Sequence, residues 1–211
     1  MTINPNEYII VDIDGTIADS RHRSHHIRLD VGTDLTDDHG VKMVIVEKRE
    51  RHDDFPNETA YLVQYEPEEG SDAVERCWWG HATCEGWRKI DWDAWDADTL
   101  KDTNIEAAIR VIRALKATGA KVMFLTARGE RARDLTTVWL NRRDLFHPQN
   151  GDVLIMRAAG DTRRDTDIKR ELIESFRETG VEFTMAFEDR RLVANMLREL
   201  GIFVFHVADY D

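Results

Sequence analysis

Two aspartates one residue apart follow an apolar run: Tyr8-Ile9-Ile10-Val11-Asp12-Ile13-Asp14-Gly15-Thr16. The run reads as a buried strand whose carboxyl end delivers Asp12 and Asp14. Side chains alternate along an extended strand, so residues two apart can face the same space. Two carboxylates that close need a cation or a shared proton to coexist. Gly15 frees the backbone to turn directly after them. Further polar groups stand at the ends of later apolar runs or early in the helical stretches. Thr126 closes Val122-Met123-Phe124-Leu125 and is followed by Arg128, Lys169 opens a helical stretch, and Glu188-Asp189 ends the run from Val181 to Phe187. A hydroxyl and cations can hold phosphate oxygens, while an all-oxygen carboxylate set suits Mg2+. Arg23, in the polar stretch from Asp19 to His26, is another candidate anion ligand.

An alternation of strands and helices must position these groups. Beyond residue 100, Ile105, Ile109, Ile112 and Leu115 recur at helical spacing after Thr103-Asn104-Ile105-Glu106, a pattern that resembles a capping box, and Gly119 ends the helix. Apolar strands follow at Lys121–Thr126, Val153–Met156, Val181–Phe187 and Ile202–Val207, separated by helical patterns around Leu135–Leu140, Lys169–Phe176 and Leu192–Leu200. With the opening strand this predicts an α/β fold, a Rossmann-like three-layer core built on a parallel sheet. Ligands of such sheets sit outside the carboxyl ends of the strands.

The composition changes from about residue 27 to 90. Acids are dense, and the β-like runs Val41–Val46 and Ala60–Tyr65 flank a polar segment, which predicts a hairpin. The expected organisation is a core of residues 1–26 and 91–211 with a β-containing cap or flap insertion, residues 27–90, after the first strand. Trp78, Trp79, Trp87, Trp92 and Trp95, five of the six tryptophans, lie between residues 78 and 95, across the end of this insertion. They could stack on a base, but a small subdomain needs such residues for its own core. Cys77, His81 and Cys84 are three metal-type ligands in eight residues, without paired-knuckle spacing or an evident fourth ligand.

The net charge of −12 opposes general adhesion to nucleic acid. Residues 1–100 hold 23 acids against 10 Lys/Arg, and residues 101–211 hold 18 against 19, so an anion-binding surface belongs to the second half. Two cysteines give no disulfide framework, and no apolar run approaches the length of a membrane span. With a polar start unlike a signal peptide, a cytoplasmic location and no membrane partner are expected.

Asp12-Ile13-Asp14-Gly15-Thr16, Thr126, Lys169 and Glu188-Asp189 resemble the four motifs of the haloacid dehalogenase superfamily of phosphatases, over about residues 7–19 and 103–208. Gly160-Asp161-Thr162-Arg163-Arg164-Asp165, Lys169 and Glu188-Asp189-Arg190 are more closely similar to the phosphatase domain of bacteriophage polynucleotide kinase-phosphatase. The resemblance implies Asp12 as nucleophile and Asp14 as proton carrier. It implies Mg2+ on Asp12, the Asp14 main-chain carbonyl and Asp189, with Thr126 and Lys169 on the phosphoryl oxygens. It assigns Arg23 and Arg128 to substrate contact and Asp165 to orienting Lys169 or an arginine. A phage-encoded protein of the host cytoplasm would fit it. The long insertion departs from that family, and no Gly-x-x-x-x-Gly-Lys-Ser/Thr loop occurs, so no kinase half is expected. The expected partner is a phosphorylated nucleotide or nucleic-acid end, the reaction removal of 3′-phosphates. A nucleotidase or other small-molecule phosphatase is the alternative. A non-catalytic binding module would be expected to have lost the nucleophile.

Overall fold

The computed structural model describes residues 6–67 and 74–208. The opening run forms β1 (Glu7–Val11), and a tight turn leads to β2 (Ala18–Asp19). Next come β3 (Asp34–Thr36), β4 (Lys42–Arg49), β5 (Ala60–Tyr65), β6 (Arg76–Gly80), α1 (His81–Trp87) and α2 (Trp92–Ala97). The rest of the chain alternates: β7 (Thr103–Asn104), α3 (Glu106–Ala117), β8 (Lys121–Gly129), α4 (Arg133–Asn141), β9 (Val153–Arg157), α5 (Asp165–Glu178), β10 (Glu182–Glu188), α6 (Arg191–Glu199) and β11 (Phe203–His206). Two compact units result, residues 1–20 with 99–211, and residues 21–98. The composition change marked residues 27 and 90; the second unit also takes in Arg23 and α2.

The first unit holds a parallel sheet in the order β11-β10-β1-β8-β9. Its central strand, β1, is apolar on both faces because both are covered. Ile9 and Val11 pack with Val122, Phe124, Ile109 and Trp139, while Ile10 packs with Met123, Leu125, Ile173 and Leu197. Strand alternation thus sends α3 and α4 to one face and α5 and α6 to the other, giving the expected three layers. One local expectation fails. Thr103 and Asn104 pair with β2 as a short antiparallel ladder instead of capping α3. The N-cap is Ile105 with no side-chain cap bond, and Glu106 Oε1 accepts from Asn104 Nδ2 at 2.8 Å. Two ladder pairs compete with the cap for the same residues, and the ladder prevails.

The second unit is an antiparallel sheet in the order β3-β4-β5-β6. The predicted hairpin is β4 and β5, in register from Met43↔Tyr65 to Arg49↔Ala60. Met43, Ile45, Tyr61, Val63 and Cys84 form its core, with Trp79 and Trp87 packed against it and edge to face with each other, ring centroids 5.0 Å apart. Those two tryptophans are core residues, whereas Trp92 is exposed. Cys77 is exposed, Cys84 is buried, and His81 Nδ1 lies 3.2 Å from the Tyr61 hydroxyl. Among the described residues, the group of His, Cys, Asp or Glu placed to hold a metal is in the first unit, so these three do not assemble a site. No described helix is long and apolar enough to cross a membrane.

Candidate active site

The turn after β1 is what aims the first carboxylates. The main-chain N–H groups of Thr16, Ile17 and Ala18 all donate to Ile13 O, and Gly15 takes φ +76°, a left-handed conformation that favours glycine. Asp189 supplies a second reason for glycine. A Cβ at residue 15 would lie 2.6 Å from Asp189 Cγ, closer than carbon atoms approach. The turn also carries Thr16 Oγ1 to within 3.2 Å of Asp189 Oδ1, to which it donates.

Asp12, Glu188 and Asp189, at the carboxyl ends of the neighbouring strands β1 and β10, are buried, with one oxygen of each within 4.8 Å of the others. Lys169, from the first turns of α5, donates to Asp12 Oδ1 at 2.7 Å and to Glu188 Oε2 at 2.9 Å. Arg190 N donates to Glu188 Oε1 at 3.1 Å, and His206 Nε2 bonds Asp189 O at 2.7 Å. Burial pushes the Asp12 carboxyl well above its usual range, and Glu188 adds to the push while Lys169 opposes it. Burial likewise raises Glu188, against Lys169. Burial, then the neighbouring Asp12, raises Asp189 to about 6. The Lys169 ammonium goes the other way. Burial works against its charge, and Asp12 and Glu188 outweigh that to raise it above the ordinary lysine value. Three carboxylates with one ammonium leave a net anionic cluster whose acceptor atoms are all oxygen. That donor set fits a hard divalent cation such as Mg2+.

Asp14 points to a different partner. Arg128 grips its carboxylate at both oxygens, Nε to Oδ2 at 2.8 Å and Nη2 to Oδ1 at 2.7 Å. The same Nη2 donates to Asp102 Oδ2 at 2.6 Å, and Nη1 to Thr136 Oγ1 at 3.3 Å. Burial disfavours the Arg128 charge, but Asp14 and then Asp102 more than offset it. Thr126 is buried within β8, its Oγ1 accepting from Arg128 N at 3.3 Å.

Asp165, at the start of α5, pairs with Arg157 and Arg190. Arg157 Nη1 also donates to Asp161 O at 3.1 Å and Arg163 O at 2.8 Å, which ties the 158–164 loop to the end of β9. Arg23 belongs to the second unit, where its guanidinium lies 4.1 Å over the Trp95 ring and donates to Trp95 O at 2.7 Å. The structure therefore gathers Asp12, Lys169 and Asp189 in one cluster, links Asp14 to Arg128, and gives Asp165 two arginine partners. Sequence reasoning counted Glu188 only as a further carboxylate at a strand end, and put no site role on Thr16 or Asp102. Glu188 and Thr16 lie inside quoted motifs and could have been found there. Asp102 carries no local signal.

Residues 82–211 match a family described as the polynucleotide kinase PNKP phosphatase domain. The match starts after the Asp12–Thr16 turn. Two solved structures share the fold across 97% of this chain at 20% identity: one titled structure of Pnkp1/Rnl/Hen1 complex, with a TM-score of 0.55, and one titled structure of the Pnkp1/Rnl/Hen1 RNA repair complex, with a TM-score of 0.54. The chain spans 47% and 44% of those chains, about half of their length. No curated protein matches it in sequence.

Proposed function

The chain belongs to the family of polynucleotide kinase PNKP phosphatase domains, and from that membership we propose that it removes 3′-phosphates from polynucleotide ends through an aspartyl-phosphate intermediate. The observation that carries the reading is Asp12: a buried carboxylate at the end of the central strand, 2.7 Å from a buried lysine and within a three-carboxylate cluster.

An Asp12 oxygen attacks phosphorus, and the bond from phosphorus to the ester oxygen breaks. The leaving oxygen keeps that electron pair and takes a proton from Asp14. Water then attacks phosphorus of the aspartyl-phosphate and gives a proton back to Asp14, freeing Asp12 and inorganic phosphate. Mg2+ held by Asp12, Asp189 and the Asp14 main-chain carbonyl, beside Glu188, would offset the repulsion between this cluster and a dianionic phosphate. Thr126 Oγ1 and the Lys169 ammonium hold the transferring phosphoryl oxygens. Arg128 acts through the Asp14 carboxylate it grips, and Asp165 sets the direction of Arg157 and Arg190.

The shared fold with a chain of the Pnkp1/Rnl/Hen1 RNA repair complex supports a nucleic-acid end as substrate. One observation favours the alternative of a small nucleotide. Residues 21–98 hold nineteen Asp/Glu against ten Lys/Arg, a balance of −9 that would repel a long phosphate backbone. Steady-state rates on 3′-phosphorylated and 5′-phosphorylated oligonucleotides and on 3′- and 5′-mononucleotides decide between them. The 3′-phosphorylated oligonucleotide should be the best substrate; equal turnover of all four would remove the polynucleotide assignment.

A further inference from the structure

We infer that Asp102 is a positioning residue for proton transfer: through Arg128 it fixes the Asp14 carboxylate. The inference rests on the phosphatase reading above and adds a residue that none of the four motifs contains.

The geometry forms a bracket. Asp102 sits between the second unit's end and β7, and its own main chain is tied down from two directions within the first unit. Its carbonyl accepts from Trp139 Nε1 at 3.0 Å and from Arg143 Nη2 at 2.8 Å, both on or just after α4. Its N–H donates to Thr99 O at 3.2 Å. Trp139 is fully buried, and the Arg143 guanidinium lies 3.7 Å over its ring, so the two donors brace each other. From this anchored backbone the carboxylate reaches Arg128 Nη2 at 2.6 Å. Arg128 is buried as well, and the edge formed by its Nε and Nη2 grips both oxygens of Asp14.

A planar guanidinium has a fixed fork of donors, so holding its outer end fixes the plane in which the fork presents itself. Asp102 and Thr136 hold the outer end of Arg128, and Asp14 receives the inner edge. Without the Asp102 carboxylate, Arg128 could rotate about its side-chain torsions and carry Asp14 with it. A site must hold its reacting groups to within about half an ångström, and a support that loosens costs rate without unfolding the protein. Asp102 also supplies a second negative charge to a buried cation, so the Arg128 charge is shared and not confined to Asp14.

The role predicts a loss that depends on the leaving group. A 3′-phosphorylated oligonucleotide expels a sugar alkoxide, which needs a proton as the bond breaks. p-Nitrophenyl phosphate expels a phenolate that departs as a stable anion. Values of kcat/KM report the steps through aspartyl-phosphate formation, so they should be measured for both esters with the intact chain and with Asp102→Asn. The ratio of the oligonucleotide value to the aryl value should fall at least tenfold, a part of the roughly hundred- to ten-thousandfold that general acid catalysis contributes. Asp102→Glu keeps the charge on a longer arm and should lower the ratio less. It also serves as the reading if Asp102→Asn does not fold. Equal losses on both esters in the folded variants, or no change in the ratio, would overturn the inference. Failure of the unaltered protein to hydrolyse either ester, or full activity of Asp12→Asn, would instead remove the phosphatase reading and this inference with it.

Discussion

Replacing Lys169 by methionine keeps a buried stem of similar length and removes the ammonium between Asp12 and Glu188, 2.7 and 2.9 Å away. Asp12, Glu188 and Asp189 then face one another within 4.8 Å, where an effective dielectric of about 20 gives a repulsion of roughly 3.5 kcal/mol for each ionised pair. Removing one partner of a buried ion pair costs about 3–5 kcal/mol. Proton uptake by one carboxylate relieves part of it, so a destabilisation of about 3 kcal/mol is expected in EDTA near neutral pH. For a chain of this length that lowers Tm by roughly 6–12 °C. The pH dependence has a definite sign. Burial raises these carboxyls, Asp189 to about 6, and loss of Lys169 raises them further. A group raised in the folded state stabilises the fold while protonated, and that stability is lost as pH climbs through the folded value. The deficit of Lys169→Met should therefore be larger at about pH 8 than at about pH 5.5, and added Mg2+ should reduce it at the higher pH. Thermal unfolding followed by circular dichroism is the assay. A variant that melts within about 2 °C of the parent in EDTA at the higher pH, or whose deficit is the same at both, would refute the reasoning.

Other outcomes test separate parts of the account. Gly15→Ala should lose about 1–2 kcal/mol for the left-handed conformation alone, and most of its activity through displacement of Asp189, as read by melting and by turnover. Burial, with Glu58 adding to it, pushes the Cys84 thiol up to about 12, while Cys77 is exposed, so iodoacetamide at mildly alkaline pH should label Cys77 in the folded protein and Cys84 only after unfolding. Asp165→Asn should loosen Arg157 and the 158–164 loop and raise KM more than it lowers kcat. EDTA should stop turnover and Mg2+ should restore it.

The core was legible because its signals are local and repeated. Ile9 to Val11 and Val122 to Leu125 are apolar runs that a parallel sheet buries on both faces, the run closing at Ala186-Phe187 is buried so at its carboxyl end, and the helices between them carry apolar stripes at helical spacing. Asp12 and Asp189 follow from where those runs end, and Lys169 from where a helical stretch opens. Other features depend on contacts between residues far apart in sequence. Strand β7 exists because Thr103 and Asn104 meet Ala18 and Asp19, a pairing that no window around residue 103 reveals and that defeats the capping-box pattern. Asp102 looks like an ordinary acid before a strand until α4 folds back to hold its carbonyl. β6 hides behind adjacent tryptophans because Trp78 and Trp79 break the alternation of polar and apolar residues. The cysteines at 77 and 84 illustrate the converse: an apparent ligand spacing that the fold separates into an exposed and a buried residue.

The central claim is that Asp12 takes the phosphoryl group. Acid-quenching the protein during turnover of an oligonucleotide carrying a radiolabelled 3′-phosphate measures this directly. Label should remain on the protein, come off with hydroxylamine as an acyl phosphate does, and be absent from Asp12→Asn. Turnover with no label on the protein, or undiminished turnover by Asp12→Asn, would contradict the account.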